Sequence, residues 1–299
     1  MLPRNYLLGI GLLAAVPTVS SAITTELVIA FDDSGSINST PGDPDGPELA
    51  TVLSSINSFF TSTAGQQAIS SSGGLAVGVV RYGADLPLAP PFSDGPEIES
   101  FFGTTAALDA DDLVKVTDAV SANAFAAGLP SAGSFTRFDN LTSPQLGIDA
   151  GTSILNASSR TGTNRFILVI GDGQQSFPDN DGGETTAARL NAVGAGITVA
   201  GFAIDDPAPS PEPPGFIGSL EFFEDFIVSD PAFIGSATLE DDTGFPPLID
   251  QEAAFQSAFD DLMFDILGVV VPEPGTYAAL FGGVAGVLAL LRRRFVRRG

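Results

Sequence analysis

Glu26–Ser36 reads ELVIAFDDSGS, and it changes character halfway along. The run Leu27–Phe31 is apolar, too short for a helix and rich in strand formers, the pattern of a strand buried on both faces of a parallel sheet. It then stops on oxygen. Asp32, Ser34 and Ser36 follow in a D-x-S-x-S spacing, and Gly35 lets the loop curl so that one carboxylate and two hydroxyls can face a single centre. Such a donor set suits a hard divalent cation. Mg²⁺ takes about six oxygens at roughly 2.0–2.1 Å and keeps several waters, which leaves a position open to an outside ligand. The competing reading of the same residues is a turn that caps the next helix.

Outward from this stretch, two more continuous apolar strands are expected at Leu75–Tyr82 and Arg165–Ile170, and a fourth at Ile197–Ile204. Helices are expected at Glu48–Thr61, Leu108–Leu129, Gln145–Ala157, the segment through Val193, Leu220–Ile227 and Gln251–Leu267. Pro96–Gly103 reads as an edge strand or hairpin and Ala232–Ala237 as a last strand. Alternation of strands and helices predicts an α/β fold, a doubly wound, mostly parallel sheet flanked by helices. Asp172 follows the Arg165–Ile170 strand in Gly171-Asp172-Gly173, which places a second carboxylate at the carboxyl edge where such sheets bind ligands. Thr142, before Pro144 and the helix Gln145–Ala157, fits an N-cap and also stands where a loop hydroxyl could reach the same centre. The loop Asn38–Gly46 carries Asp43 and Asp45, readable as a minor Ca²⁺ loop or as a solvated insertion; no full EF-type ligand series follows. In Gln251–Leu267 the stripe Phe255, Phe259, Leu262, Met263 and Ile266 reads as core.

The ends carry different signals. Met1–Ala22 has Arg4, the apolar run Leu7–Val16, and small residues at Ser20 and Ala22, the pattern of an export signal peptide. At the other end Val271-Pro272-Glu273-Pro274-Gly275 precedes the apolar Tyr277–Leu291 and then Arg292, Arg293, Arg294, Arg297 and Arg298. The apolar part is short against the ~20 residues of a spanning helix, and the arginines would hold this end in the cytoplasm. The order Pro-Glu-Pro, short helix, arginine cluster resembles the PEP-CTERM sorting tail of Gram-negative and related bacteria. The resemblance implies recognition by an exosortase, removal of the tail, and delivery to the cell surface or extracellular matrix. An ordinary C-terminal membrane anchor is the alternative. The expected organisation is a signal peptide over 1–22, one domain over 23–270 and the sorting tail over 271–299.

Composition excludes several functions. The 299 residues hold 12 basic and 36 acidic side chains, a net charge of −24; residues 23–270 keep 6 basic and 35 acidic ones, or −29. Nucleic acid and anionic membrane surfaces are thereby poor partners, since little basic surface exists to displace counterions. There is no Cys and no His, so neither disulfides nor Ser-His-Asp chemistry is available, and an imidazole or thiolate zinc site is excluded. Any metal must be held by oxygen.

A buried strand ending in Asp32-x-Ser34-x-Ser36, then Thr142 before a helix, then a strand ending in Asp172-Gly173, resembles the von Willebrand factor A (VWA) domain with its metal-ion-dependent adhesion site, over about Thr24–Leu267. Phe222–Ile227 and Phe233 resemble an uncharacterised bacterial branch of that superfamily. Carried over, the resemblance implies that Asp32, Ser34 and Ser36 hold Mg²⁺, or Ca²⁺ or Mn²⁺, with Thr142 joining directly or through water and Asp172 through water. The usual Gly-Gly-Thr lead-in is replaced by Asp139-Asn140-Leu141-Thr142, which leaves Thr136 a rival to Thr142. Two functions follow: an exported binding module whose ion grips a carboxylate on a protein or polysaccharide, or an acidic structural protein crosslinked by divalent ions in the extracellular matrix. No paired-carboxylate constellation singles out a hydrolase, so a non-enzymatic role is expected.

Overall fold

A computed structural model describes residues 23–33, 47–84, 96–102, 108–131, 142–172, 182–205, 219–239 and 248–268. The export signal, the sorting tail, Ser34, Ser36, Thr136, Asp43 and Asp45 lie outside the described residues. Among those described, no helix is long and apolar enough to cross a membrane.

The three apolar runs form the centre of one sheet. Strand β1 (Thr25–Asp32) lies between β2 (Leu75–Ala84) and β5 (Asn164–Gly171), parallel to both. Beyond β5 follow β6 (Thr198–Asp205) and β7 (Ile234–Thr238), again parallel. On the other side β3 (Pro96–Ser100) and β4 (Val114–Val116) pair antiparallel with β2, giving the order β3-β2-β1-β5-β6-β7 with β4 off this path. The expected doubly wound, mostly parallel α/β sheet is present.

Alternation along the strands divides two cores. Leu27, Ile29 and Phe31 of β1 face α1 (Pro47–Thr61), α2 (Thr63–Ser71), α3 (Ala119–Gly128) and α7 (Leu248–Ile266), while Val28 and Ala30 face α4 (Pro144–Ala157) and α5 (Gly183–Gly194). Without cysteine, phenylalanine supplies the larger contacts. Phe202 meets Phe255 at 4.7 Å and Phe60 meets Phe125 at 4.4 Å between ring centroids; such pairs contribute about 0.5–1.5 kcal/mol each beyond their buried area. The predicted core stripe of α7 is confirmed, with Phe255, Phe259 and Met263 fully buried.

The long helix expected at Leu108–Leu129 is corrected. Asp109 caps a 3-10 turn over Ala110–Asp112, accepting from the Asp111 backbone amide, while the Asp112 carboxylate accepts from the Asp109 amide. Val114-Lys115-Val116 then leaves helix for strand β4, whose β-branched residues pair with Leu75–Val77. Asp118 and Ser121 form a second capping box, and α3 starts only there. Two N-terminal signals within one apparently helical run were the cue for the break. The last strand likewise starts later than Ala232, at Ile234, because Pro231–Phe233 is a 3-10 turn. The Leu220–Ile227 helix is present as α6 (Ser219–Phe222) running into a wider π-type turn, Phe223–Ile227.

Candidate metal centre at the carboxyl edge

Asp32 is the last residue of β1 and is wholly buried. Its register partner across β2 is Tyr82, also wholly buried, whose hydroxyl donates to the Ile170 carbonyl of β5 at 3.3 Å. Gly171 completes the contact from β5. A Cβ built on it would stand 3.1 Å from the Tyr82 Oη, 3.2 Å from the Asp32 Cβ and 3.3 Å from Asp32 Oδ2. Three strands thus bring a carboxylate, a phenol and a bare backbone together where β1, β2 and β5 end.

Asp172 follows directly, and its backbone carbonyl accepts from the Ser219 hydroxyl of α6. Its charge reaches the same point. Burial first, then the carboxylates of Asp32 and Asp172, push the Tyr82 phenol well above its ordinary range. The two predicted carboxylates stand at one edge, since Asp172 directly follows Gly171 and Gly171 meets Asp32.

Helix α4 covers this edge. Gly147 permits the approach: a Cβ there would lie 2.5 Å from Tyr82 Cδ1 and 3.1 Å from the Ala30 Cβ. Thr142 and Ser143 lead into α4 and are buried. The N-cap position belongs to Ser143, with Pro144 opening the helix and no side-chain cap hydrogen bond, so the N-cap role expected for Thr142 is corrected. Pro144 fixes the first helical residue, and the backbone of Leu146 closes on the Ser143 carbonyl at 3.0 Å. Thr142 stands at the same end of the sheet as Asp32 and Asp172.

The donors fit a hard cation by their chemistry. They are carboxylate and hydroxyl oxygens, in a chain that lacks His and Cys throughout. No three His, Cys, Asp or Glu among the described residues cluster as a metal group by themselves, so hydroxyls and water must complete any coordination. Asp33, next to Asp32, points elsewhere. It pairs with Arg81 at 2.7 Å on the opposite face of the sheet, and Arg81 also holds Glu99 of β3 through Nε at 2.6 Å. Sequence reading missed Arg81 and Tyr82. The cue lay in Arg81-Tyr82 ending the second apolar run, since a charged residue there demands a partner.

Comparison with known proteins adds the following. A family model described as a protein of unknown function (DUF1194) matches residues 112–247, somewhat less than half of the chain. No curated protein sequence matches. Among solved structures, the chain is similar to the pilus adhesin SpaC from Lactobacillus rhamnosus GG, at 16% identity and a TM-score of 0.49 over 82% of this chain and 31% of that one. It is similar to proximal thread matrix protein 1 from the mussel byssus, whose structure has a zinc-occupied metal-ion-dependent adhesion motif, at 13% identity and 0.47 over 83% and 46%. It is similar to the SpRpn10 VWA domain at 12% identity and 0.45 over 84% of this chain and 100% of that one. The chain thus spans less than half the length of the first two.

Proposed function

We propose that this chain is an exported VWA-type binding module that uses a divalent cation at the carboxyl edge of its sheet to engage a carboxylate on a partner. The observation that carries this reading is the meeting of the buried Asp32 carboxylate with Tyr82 and with Gly171, the residue before Asp172, where β1, β2 and β5 end. Burying the Asp32 carboxylate is costly, and a cation beside it would offset that cost. Asp32, Thr142 and Asp172 would hold the ion, with Ser34 and Ser36, or Thr136 in place of Thr142, completing the motif. Mg²⁺ fits the donor chemistry, as do Mn²⁺ and Ca²⁺. An ion held there would supply a Lewis-acidic position for an acidic group of a protein or polysaccharide.

The end signals support export and sorting to the surface or matrix with exosortase processing of the tail. A second reading rests on the charge of −29 over residues 23–270: many weakly held ions crosslink the protein into an anionic matrix without one specific partner. Calorimetric titration of the full chain in mild detergent with Mg²⁺, Mn²⁺ and Ca²⁺, beside Asp32→Ala, separates the two. One site that disappears in the variant, with circular dichroism unchanged, is expected. Many weak sites indifferent to Asp32 would replace the adhesion reading with the crosslinked matrix protein.

A further inference from the structure

Two adjacent aspartates stand at the end of β1, Asp32 as its last residue and Asp33 as the next, and the sheet sorts them. Asp32 continues the alternation of Val28 and Ala30 toward α4, whereas Asp33 continues that of Leu27, Ile29 and Phe31 toward α1 and α7. Arg81 lies on this second face, following Val77 and Val79, while its neighbour Tyr82 follows Val80 toward α4. The backbone supports the sorting, because the Asp33 amide donates to the Tyr82 carbonyl at 2.9 Å and so extends the β1–β2 ladder one residue past Asp32. The Asp33 side chain is fully buried and that of Arg81 is 7% exposed, while Glu99, which grips the guanidinium from the edge strand, is 50% exposed. On the same face Phe31 stacks on Phe101 just past β3, at 5.7 Å between ring centroids.

The geometry points to Arg81 as a positioning residue for the metal centre. By holding Asp33 on the far face, and being itself anchored to Glu99 of β3, Arg81 pins the residue that follows Asp32 and so holds the end of β1 against β2. The inference rests on the reading of Asp32 as a metal donor. An arginine suits the task because its planar fork can hold two carboxylates at once, which a lysine does only with one compact charge. Groups bonded to a metal donor from behind typically matter by about 10–100-fold in metal affinity, and Arg81, which grips the neighbour of the donor, belongs at the low end of that range.

The test is Mn²⁺ binding to the full chain in mild detergent, read from the electron paramagnetic resonance of free Mn²⁺, with circular dichroism as the control for folding. Wild type is expected to bind one ion that Asp32→Ala loses; a wild type with no such site would overturn the metal reading and this inference with it. Given that site, Arg81→Met is expected to weaken Mn²⁺ binding by about tenfold or more, and Arg81→Lys to recover part of the loss. Should Arg81→Met fail to fold with Asp33 left as a buried charge, Arg81→Met combined with Asp33→Asn removes both charges together and the same tenfold weakening is expected. A folded Arg81→Met, or that double variant, binding Mn²⁺ within twofold of wild type refutes the positioning role while leaving the metal site standing.

Discussion

A single methyl group added at Gly147 tests the packing that holds the carboxyl edge together. In Gly147→Ala the new Cβ would stand 2.5 Å and 2.8 Å from two ring carbons of Tyr82 and 3.1 Å from the Ala30 Cβ. The Tyr82 ring has little room to yield: it is fully buried, and its hydroxyl is held at the Ile170 carbonyl beside Asp32 and Gly171. Overpacking of this kind costs about 1–3 kcal/mol. Alanine in place of glycine inside a helix returns roughly 0.5–1 kcal/mol, so a net loss of about 1–2 kcal/mol is expected. For a domain of this size that lowers the melting temperature by about 2–8 °C.

Gly194→Ala, at the end of α5, is the matched control. Nothing lies within 4 Å of its Cβ, so only the propensity gain of up to roughly 1 kcal/mol remains and the variant should melt at or slightly above wild type. Differential scanning calorimetry of the three proteins decides the matter. Gly147→Ala melting as high as Gly194→Ala would mean that α4 does not press on Tyr82 as described. Since the displaced ring borders Asp32, Gly147→Ala should also bind Mn²⁺ more weakly than wild type.

Two further outcomes concern buried groups. Glu26, fully buried in β1, is held by Arg160 at 3.0 Å, by the Thr163 hydroxyl at 2.9 Å and by the Ser158 hydroxyl. Arg160→Met should cost about 3 kcal/mol in a urea titration, toward the low end for stranding a buried charge because the arginine is partly exposed, and adding Glu26→Gln should restore part of it. Tyr82, whose phenol is pushed up on folding by burial and then by Asp32 and Asp172, keeps its proton in the native state past the point where the unfolded chain releases it. Its contribution is whole below the ordinary value of about 10 and is lost as pH rises from there toward the folded value. Urea midpoints measured from pH 8 upward should therefore fall more steeply above about pH 10 in wild type than in Tyr82→Phe; parallel curves would contradict the shift.

What the sequence made legible was whatever repeats with a simple period. Leu27–Phe31, Leu75–Tyr82 and Arg165–Ile170 announce buried parallel strands, and an aspartate at the end of the first, and just past the third, announces an edge lined with carboxylate. The stretch Leu108–Leu129 misled because its alanines and leucines favour helix, while the decisive signals were the caps at Asp109 and Asp118 and the pairing of Val114–Val116 with β2, a contact distant along the chain. The partners of Tyr82 and Arg81 were illegible for a related reason. Only the register, which sets Asp32 opposite Tyr82 and Phe31 opposite Arg81, shows which side chain shares a face with which aspartate. Thr142 was placed correctly at the entry to α4, yet whether it or Ser143 occupied the cap turned on a single residue of helix phase.

If Asp32 holds an ion as proposed, that register explains how a chain so acidic would present a defined cation site instead of a diffuse cloud of counterions. Surface carboxylates attract ions weakly, since water and salt screen them over roughly 8 Å at physiological ionic strength. Asp32 is different, being wholly buried against Gly171, so its interactions are screened far less. If Asp33 shared its face, the two charges would compete for the same space and raise each other's proton affinity. The alternation continued from β1 turns Asp33 away and Arg81 meets it there, while Asp172 follows the end of β5 at the same edge. On that proposal strand parity decides the outcome: it sets Asp32 on the face of α4 and Asp33 on the opposite face, where Arg81 neutralises it.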